Sequence, residues 1–188
     1  MKIKVLYLSN LIYSKGILHL MDAILKLDKN RFSFNIAGDF IGDNYMSKSQ
    51  IFENFNDKAI QIKNHGYDFN YFGVVSGQKK MDLLNGSDIF ILPTFYKSEA
   101  IPVSISEAIN SGCVIIVTDW KYLKYYTKHK AYYISPKSVN SIVKSLSYMS
   151  DKKNLEQSLK KITSIEKMFN SKEEFKKQIK QILNKYMI

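Results

Sequence analysis

The stretch Asp88-Ile89-Phe90-Ile91-Leu92-Pro93 is a continuous apolar run that opens on an aspartate and stops at a proline. Such a run belongs to a strand buried on both faces, which requires covering layers on either side of a sheet. Around it, short runs rich in β-branched residues alternate with amphipathic segments. Lys4 to Ser9, Phe32 to Ala37, Ala59 to Lys63, Val114 to Thr118 and Ala131 to Ile134 read as further strands. Helical segments lie between them. One follows Gly16, with Ile17, Leu20, Met21, Ile24 and Leu25 on a single apolar face. Others are a polar helix over 43–57, a short one from Gln78 to Leu84, one over 101–110, a Tyr/Lys-rich one from Tyr122 to Lys128, and Val139 to Met149. About six strands alternating with helices predict an α/β fold with a mostly parallel sheet and helices on both faces.

A last helix is predicted from Ser171, where Ser171-Lys172-Glu173-Glu174 forms a capping box ahead of an apolar stripe of Phe175, Ile179, Ile182, Leu183 and Tyr186. The expected organisation is one domain over 1–170 and an amphipathic helix over 171–188, docked on it or on a partner domain.

Charge and composition narrow the function classes. The 188 residues carry 28 Lys+Arg against 17 Asp+Glu, a formal net charge of +11, and 45% are hydrophobic, which excludes intrinsic disorder as the main state. No apolar run approaches the roughly 20 residues of a membrane-spanning helix. Met1 to Ser9 has only a short apolar stretch and no small-residue cleavage site, so no signal peptide is expected. The one cysteine, Cys113, excludes an internal disulfide and a multi-cysteine zinc site, and reads as a small packing residue at the head of a buried strand. These features predict a cytoplasmic chain. The surplus is almost all lysine, with Arg31 the single arginine, which argues against base-edge readout and hence against a nucleic-acid partner. Its expected consequence is a weak peripheral attraction to anionic lipid at the inner membrane face.

Ligands of such sheets bind beyond the carboxyl ends of the strands. After the first strand comes Ser9-Asn10-Leu11-Ile12-Tyr13-Ser14-Lys15-Gly16, which is neither a P-loop nor a dinucleotide fingerprint. Lys15 at a helix mouth suits a phosphate, yet alone it reads as a solvated lysine. After the apolar run come Glu99 and then Pro102, suited to a first helical turn, and Glu107. Two acids flanking a helix N-terminus can accept from sugar hydroxyls, or Glu99 can simply favour the helix dipole and Glu107 be solvated. Spacing does not decide, because Glu166 and Glu174 share it on a segment that reads as a solvated helix. His19, His65 and His129 have no ligand partners at useful spacing and take no role.

Taken together, several stretches resemble the C-terminal, donor-binding domain of retaining GT-B glycosyltransferases, specifically glycosyltransferase family 4. They are Leu8-Ser9-Asn10-Leu11 with Lys15-Gly16-Ile17, Ile36-Ala37-Gly38-Asp39, Phe72-Gly73-Val74, Leu84 with Asp88 to Thr94, Ser98 to Ala108, Gly112 to Ile115, and Phe169-Asn170-Ser171. The resemblance implies a Rossmann-like domain forming the C-terminal half of a GT-B fold. It implies an enzyme that moves a sugar from a nucleotide-sugar, by default a UDP-sugar, to an acceptor hydroxyl with retention, in surface glycan or glycolipid synthesis. Glu99 would face the donor sugar as the catalytic carboxylate. Lys15, with Asn10 and Gly16, would meet the diphosphate. Val74 and Val75 would pack the base, the turn at Ala100, Ile101, Val103 and Ser104 would receive diphosphate or sugar oxygens, and Glu107 would hold the ribose hydroxyls.

No metal site and no cofactor are implied, the nucleotide-sugar being a co-substrate. The implied partners are that donor, a glycan or lipid-linked acceptor, and an acceptor-binding domain, which is either cut away from an excised or truncated donor domain or carried on a separate polypeptide. The first matched strand begins almost at Met1, so the expectation is nucleotide-sugar binding with little or no transfer by residues 1–188 alone. Asn10 stands where the family often has arginine, Ala100 replaces a frequent glycine, Pro102 cannot donate an N–H, and Trp120-Lys121-Tyr122-Leu123 replaces a Gly-rich turn. The alternative is a non-catalytic nucleotide-binding or interaction module of the same fold.

Overall fold

The computed structural model describes residues 2–99 and 102–166. Its strands are β1 (Ile3–Leu8), β2 (Phe32–Ala37), β3 (Asp68–Tyr71), β4 (Ile89–Leu92), β5 (Val114–Thr118) and β6 (Tyr132–Ile134). They form one sheet in the order β3-β2-β1-β4-β5-β6, and every neighbouring pair is parallel. The expected α/β architecture is therefore the one observed. All four residues of β4 are fully buried, as their unbroken apolar run requires.

The helices are α1 (Ile17–Ile24), α2 (Lys48–Asn64), α3 (Gly77–Asn85), α4 (Val103–Asn110), α5 (Leu123–Tyr126), α6 (Val139–Met149) and α7 (Lys152–Glu166), with a 3-10 turn at Tyr13–Lys15. α1 packs against α2 and α6, while α3 and α7 both pack against α4. α1 buries Ile17, Leu18, Leu20, Met21, Ala23 and Ile24, whereas the more polar α3 buries Leu84 alone. The core includes Tyr7, Phe32, Phe34, Phe55 and Phe90. Cys113 joins it fully buried, its thiol donating to the carbonyls of Leu84 and Ser87 at 3.4 Å each.

The third strand is not where the sequence pattern puts it. Ala59 to Lys63 forms the last turns of α2, and β3 comes later, at Asp68–Tyr71. The reason lies at both ends of the helix. Ser47 and Gln50 form a capping box, Gln50 N–H donating to Ser47 Oγ at 3.2 Å and Ser47 N–H to Gln50 Oε1 at 2.9 Å. From there Ile51, Phe55 and Ile62 fall on one buried face, and no glycine or proline interrupts the chain until Gly66. α7 runs to Glu166 and buries Ser158 and Ile162, while the rest of the segment expected to carry Glu166 and Glu174 on a solvated helix lies outside the described residues. The helix expected from Ser171, and with it the 171–188 division, lies outside the described residues. Among those described, no helix is long and apolar enough to cross a membrane.

Candidate functional site

The residues singled out above converge at the carboxyl edge of the sheet, in two adjoining places. The first is a groove of about 420 Å³ between the ends of β1, β2 and β3 and the faces of α3 and α4. Asn10, Val74, Val75, Val103, Ser104 and Glu107 all line it. Val74 and Val103 are largely exposed apolar side chains, 71% and 67%, which a bound planar group would cover. Glu107 accepts from Lys80 Nζ through Oε1 at 2.6 Å, while its Oε2 is out of contact with solvent and has no hydrogen-bond partner among the described residues. A buried carboxylate oxygen without a donor costs free energy, and an incoming hydroxyl group would satisfy it. Because α4 begins at Val103, the N–H groups of Val103 and Ser104 have no acceptor within the helix.

The second place is a dry ion pair. Lys15 Nζ lies 2.7 Å from both carboxylate oxygens of Glu99, with the side chains 12% and 6% exposed. Thr94 Oγ1 donates to Glu99 Oε2 at 2.7 Å and in turn accepts from Tyr96 N–H at 3.2 Å. The Tyr96 ring lies beneath the ammonium, 5.4 Å from ring centroid to Nζ. Burial, reinforced by the Glu99 charge, pushes the Tyr7 hydroxyl well above the usual phenol range. Gly16 turns the chain from the 3-10 turn into α1 at φ +80°, against the Pro93 carbonyl. So the lysine and the acid that the family resemblance assigns to different parts of one ligand hold each other across the ends of β1 and β4. Ala100 and Ile101 lie outside the described residues.

Several groove residues were given no role in the sequence. Gly38 and Asp39, quoted above only as part of the resemblance, line it directly after β2 with Ile41, where the strand-end rule points. Lys80 had no such signal: it sits in a Lys79-Lys80 pair on a polar helix, and Lys79 instead lies over the Phe72 ring. Asp43 also escaped notice. It accepts from the N–H groups of Ser14 at 3.0 Å, Tyr45 at 2.8 Å and Met46 at 3.0 Å, tying the loop after β2 to the turn that carries Lys15. Partial burial would raise its pKa, but these hydrogen bonds outweigh it and hold the carboxyl below its ordinary value.

A carboxyl depressed on folding stabilises the native state above its unfolded pKa, about 4, and loses that contribution as pH falls through the lower folded value. Asp43→Ala is therefore expected to cost about 1–2 kcal/mol at neutral pH, discounted for exposure. Urea unfolding at neutral pH and again below pH ~4 checks this, since the gap to the parent protein closes in acid.

Among the described residues no three His, Cys, Asp or Glu side chains converge as metal ligands. Residues 1–166 match the profile of the glycosyl transferases group 1 family. The chain belongs to that family. This glycosyltransferase-family chain is similar in fold to HepE from Anabaena, solved in complex with UDP and glucose, with a TM-score of 0.78 at 13% identity, over 98% of this chain and 48% of that one. It is similar to the sucrose-phosphate synthase of Thermosynechococcus elongatus, with a TM-score of 0.73 at 16% identity, over 99% of this chain and 46% of that one. The C-terminal domain of the group 1 glycosyl transferase LpcC from Francisella tularensis gives a TM-score of 0.68 at 15% identity, over 86% of this chain and 83% of that one. The chain thus spans under half the length of the first two proteins. These likenesses establish the Rossmann-like fold of a GT-B glycosyltransferase domain. No curated protein matches the sequence.

Proposed function

We propose that the chain binds a nucleotide-sugar donor, a UDP-sugar by default, for transfer of the sugar to an acceptor hydroxyl with retention at the anomeric carbon, as in glycosyltransferase family 4. The reading takes the acceptor to be a surface glycan or a glycolipid, and needs no metal. The observation that carries it is the groove itself, where Val74 and Val75 share one cleft with Glu107, whose Oε2 has no hydrogen-bond donor among the described residues. The base packs on the valines, and the ribose diol donates to Glu107. Asn10 and the first N–H groups of α4 receive the diphosphate beside Lys15, with Gly16 letting the backbone approach. Glu99 faces the sugar. The complex of HepE with UDP and glucose, on the same fold, supports this choice of ligand.

The chemistry follows from where charge develops. Breaking the glycosidic bond leaves negative charge on the departing phosphate. A preorganised cation and fixed N–H groups stabilise that charge without solvent reorganisation, each such donor being worth roughly 2.7–4 kcal/mol in the transition state. In the ligand-free chain Lys15 is neutralised by Glu99, so diphosphate binding draws the ammonium away and leaves the carboxylate free to accept from sugar hydroxyls.

A thermal-shift panel of UDP- and GDP-sugars on the purified chain tests the reading, since a ligand bound only by the folded form raises its stability. Glu107→Gln is expected to weaken the best ligand by about 10–100-fold, the value of one charge-assisted hydrogen-bond partner. Unchanged affinity in that variant, or no shift with any nucleotide-sugar, favours a non-catalytic module of the same fold instead.

A further inference from the structure

We propose that Lys80 is the positioning residue for ribose recognition: by holding Glu107 Oε1 it fixes the carboxylate so that Oε2 reads the 2′- and 3′-hydroxyl groups of a nucleoside diphosphate. The inference rests on the donor-binding reading above and names the residue on which its sugar selectivity depends.

Lys80 stands on the first turn of α3 and reaches across to α4, its Nζ 2.6 Å from Glu107 Oε1. Both side chains are about seven-tenths buried, at 28% and 30% exposure, so the pair is shielded from the screening that makes surface ion pairs slack. Among the described residues that line the groove, Asp39 and Glu107 are the carboxylates and Lys80 is the only cation. Asp39 looks outward, its carboxylate 3.9 Å from the exposed Lys48 and engaged by Phe40 N–H. Glu107 therefore depends on Lys80 for its one charged partner among the described residues.

Two consequences follow. The ammonium offsets the repulsion that a bare carboxylate would exert on an approaching diphosphate. It also takes up one carboxylate oxygen and leaves the other, without a partner among the described residues, as the oxygen still able to accept. A vicinal diol offers two O–H donors to that acceptor, and a deoxyribose offers one.

The test is calorimetric titration of the full chain with UDP and with 2′-deoxyuridine diphosphate. The parent protein is expected to prefer UDP by about tenfold, one charge-assisted hydrogen bond. Lys80→Met is expected to bring that ratio close to one, Lys80→Arg to keep most of it, and Lys80→Met/Glu107→Gln to lose no more than either single variant. An equal loss for both nucleotides in Lys80→Met assigns the lysine to the diphosphate and overturns the inference, as does a parent-like ratio. If the parent binds neither nucleotide, the donor-binding reading itself falls. If it binds UDP and Glu107→Gln weakens it while Lys80→Met does not, only the role of Lys80 falls.

Discussion

Replacing Lys15 by methionine is expected to lower the unfolding free energy by about 3–5 kcal/mol in urea denaturation at neutral pH. Methionine keeps the packing of the aliphatic stem but leaves the Glu99 charge in a dry site, with only the Thr94 hydroxyl among the described residues to answer it. The loss comes mainly from the uncompensated carboxylate rather than from the attraction removed. Adding Glu99→Leu to the variant should then recover most of the stability, because an apolar pair of similar volume no longer carries a buried charge. A cost for Lys15→Met below about 1 kcal/mol would mean that water screens the pair, as it does on open surfaces.

Gly16→Ala is the second large effect, expected to cost about 2–6 kcal/mol: a non-glycine residue in the left-handed region together with a steric overlap. An added Cβ would stand 2.1 Å from the Pro93 carbonyl oxygen, which is backbone and cannot swing aside. To relieve the overlap, the end of β4 must shift, carrying Thr94 and therefore the Lys15–Glu99 pair with it. The same substitution at Gly112, at φ +76° but with nothing within 4 Å of the new Cβ, isolates the backbone contribution, about 1–2 kcal/mol. Equal melting temperatures for the two variants would refute the contact with Pro93.

The sheet was legible in the sequence wherever burial on both faces left no room for polar residues. Ile89 to Leu92 and Val114 to Thr118 admit one reading, because an apolar run of that length between turn signals has no solvent face to present. β3 was not legible for the opposite reason. It is a four-residue edge strand, Asp-Phe-Asn-Tyr, with only Phe69 buried, and it carries little pattern. Ala59 to Lys63, with isoleucines two apart, fits a strand or a helix equally until the capping box upstream is given weight.

The site divides along a similar line. Strand-end placement and family resemblance brought Asn10, Val74, Val75 and Glu107 to one groove. Spacing could not say that Lys15 and Glu99, 84 residues apart, hold each other, nor that Lys80 rather than Lys79 reaches Glu107. Such pairings are set by side-chain direction across separate elements, information that a linear pattern does not contain.

The burial of Cys113 has a practical consequence. Burial, with the Asp88 charge nearby, pushes its thiol up to about 12, so almost none is thiolate at neutral pH and alkylating reagents find nothing to attack. Because this is the sole cysteine of the chain, a thiol engineered on the rim of the groove can be labelled selectively in the native protein. Fluorophores or spin labels placed there would report ligand entry without first stripping a background site.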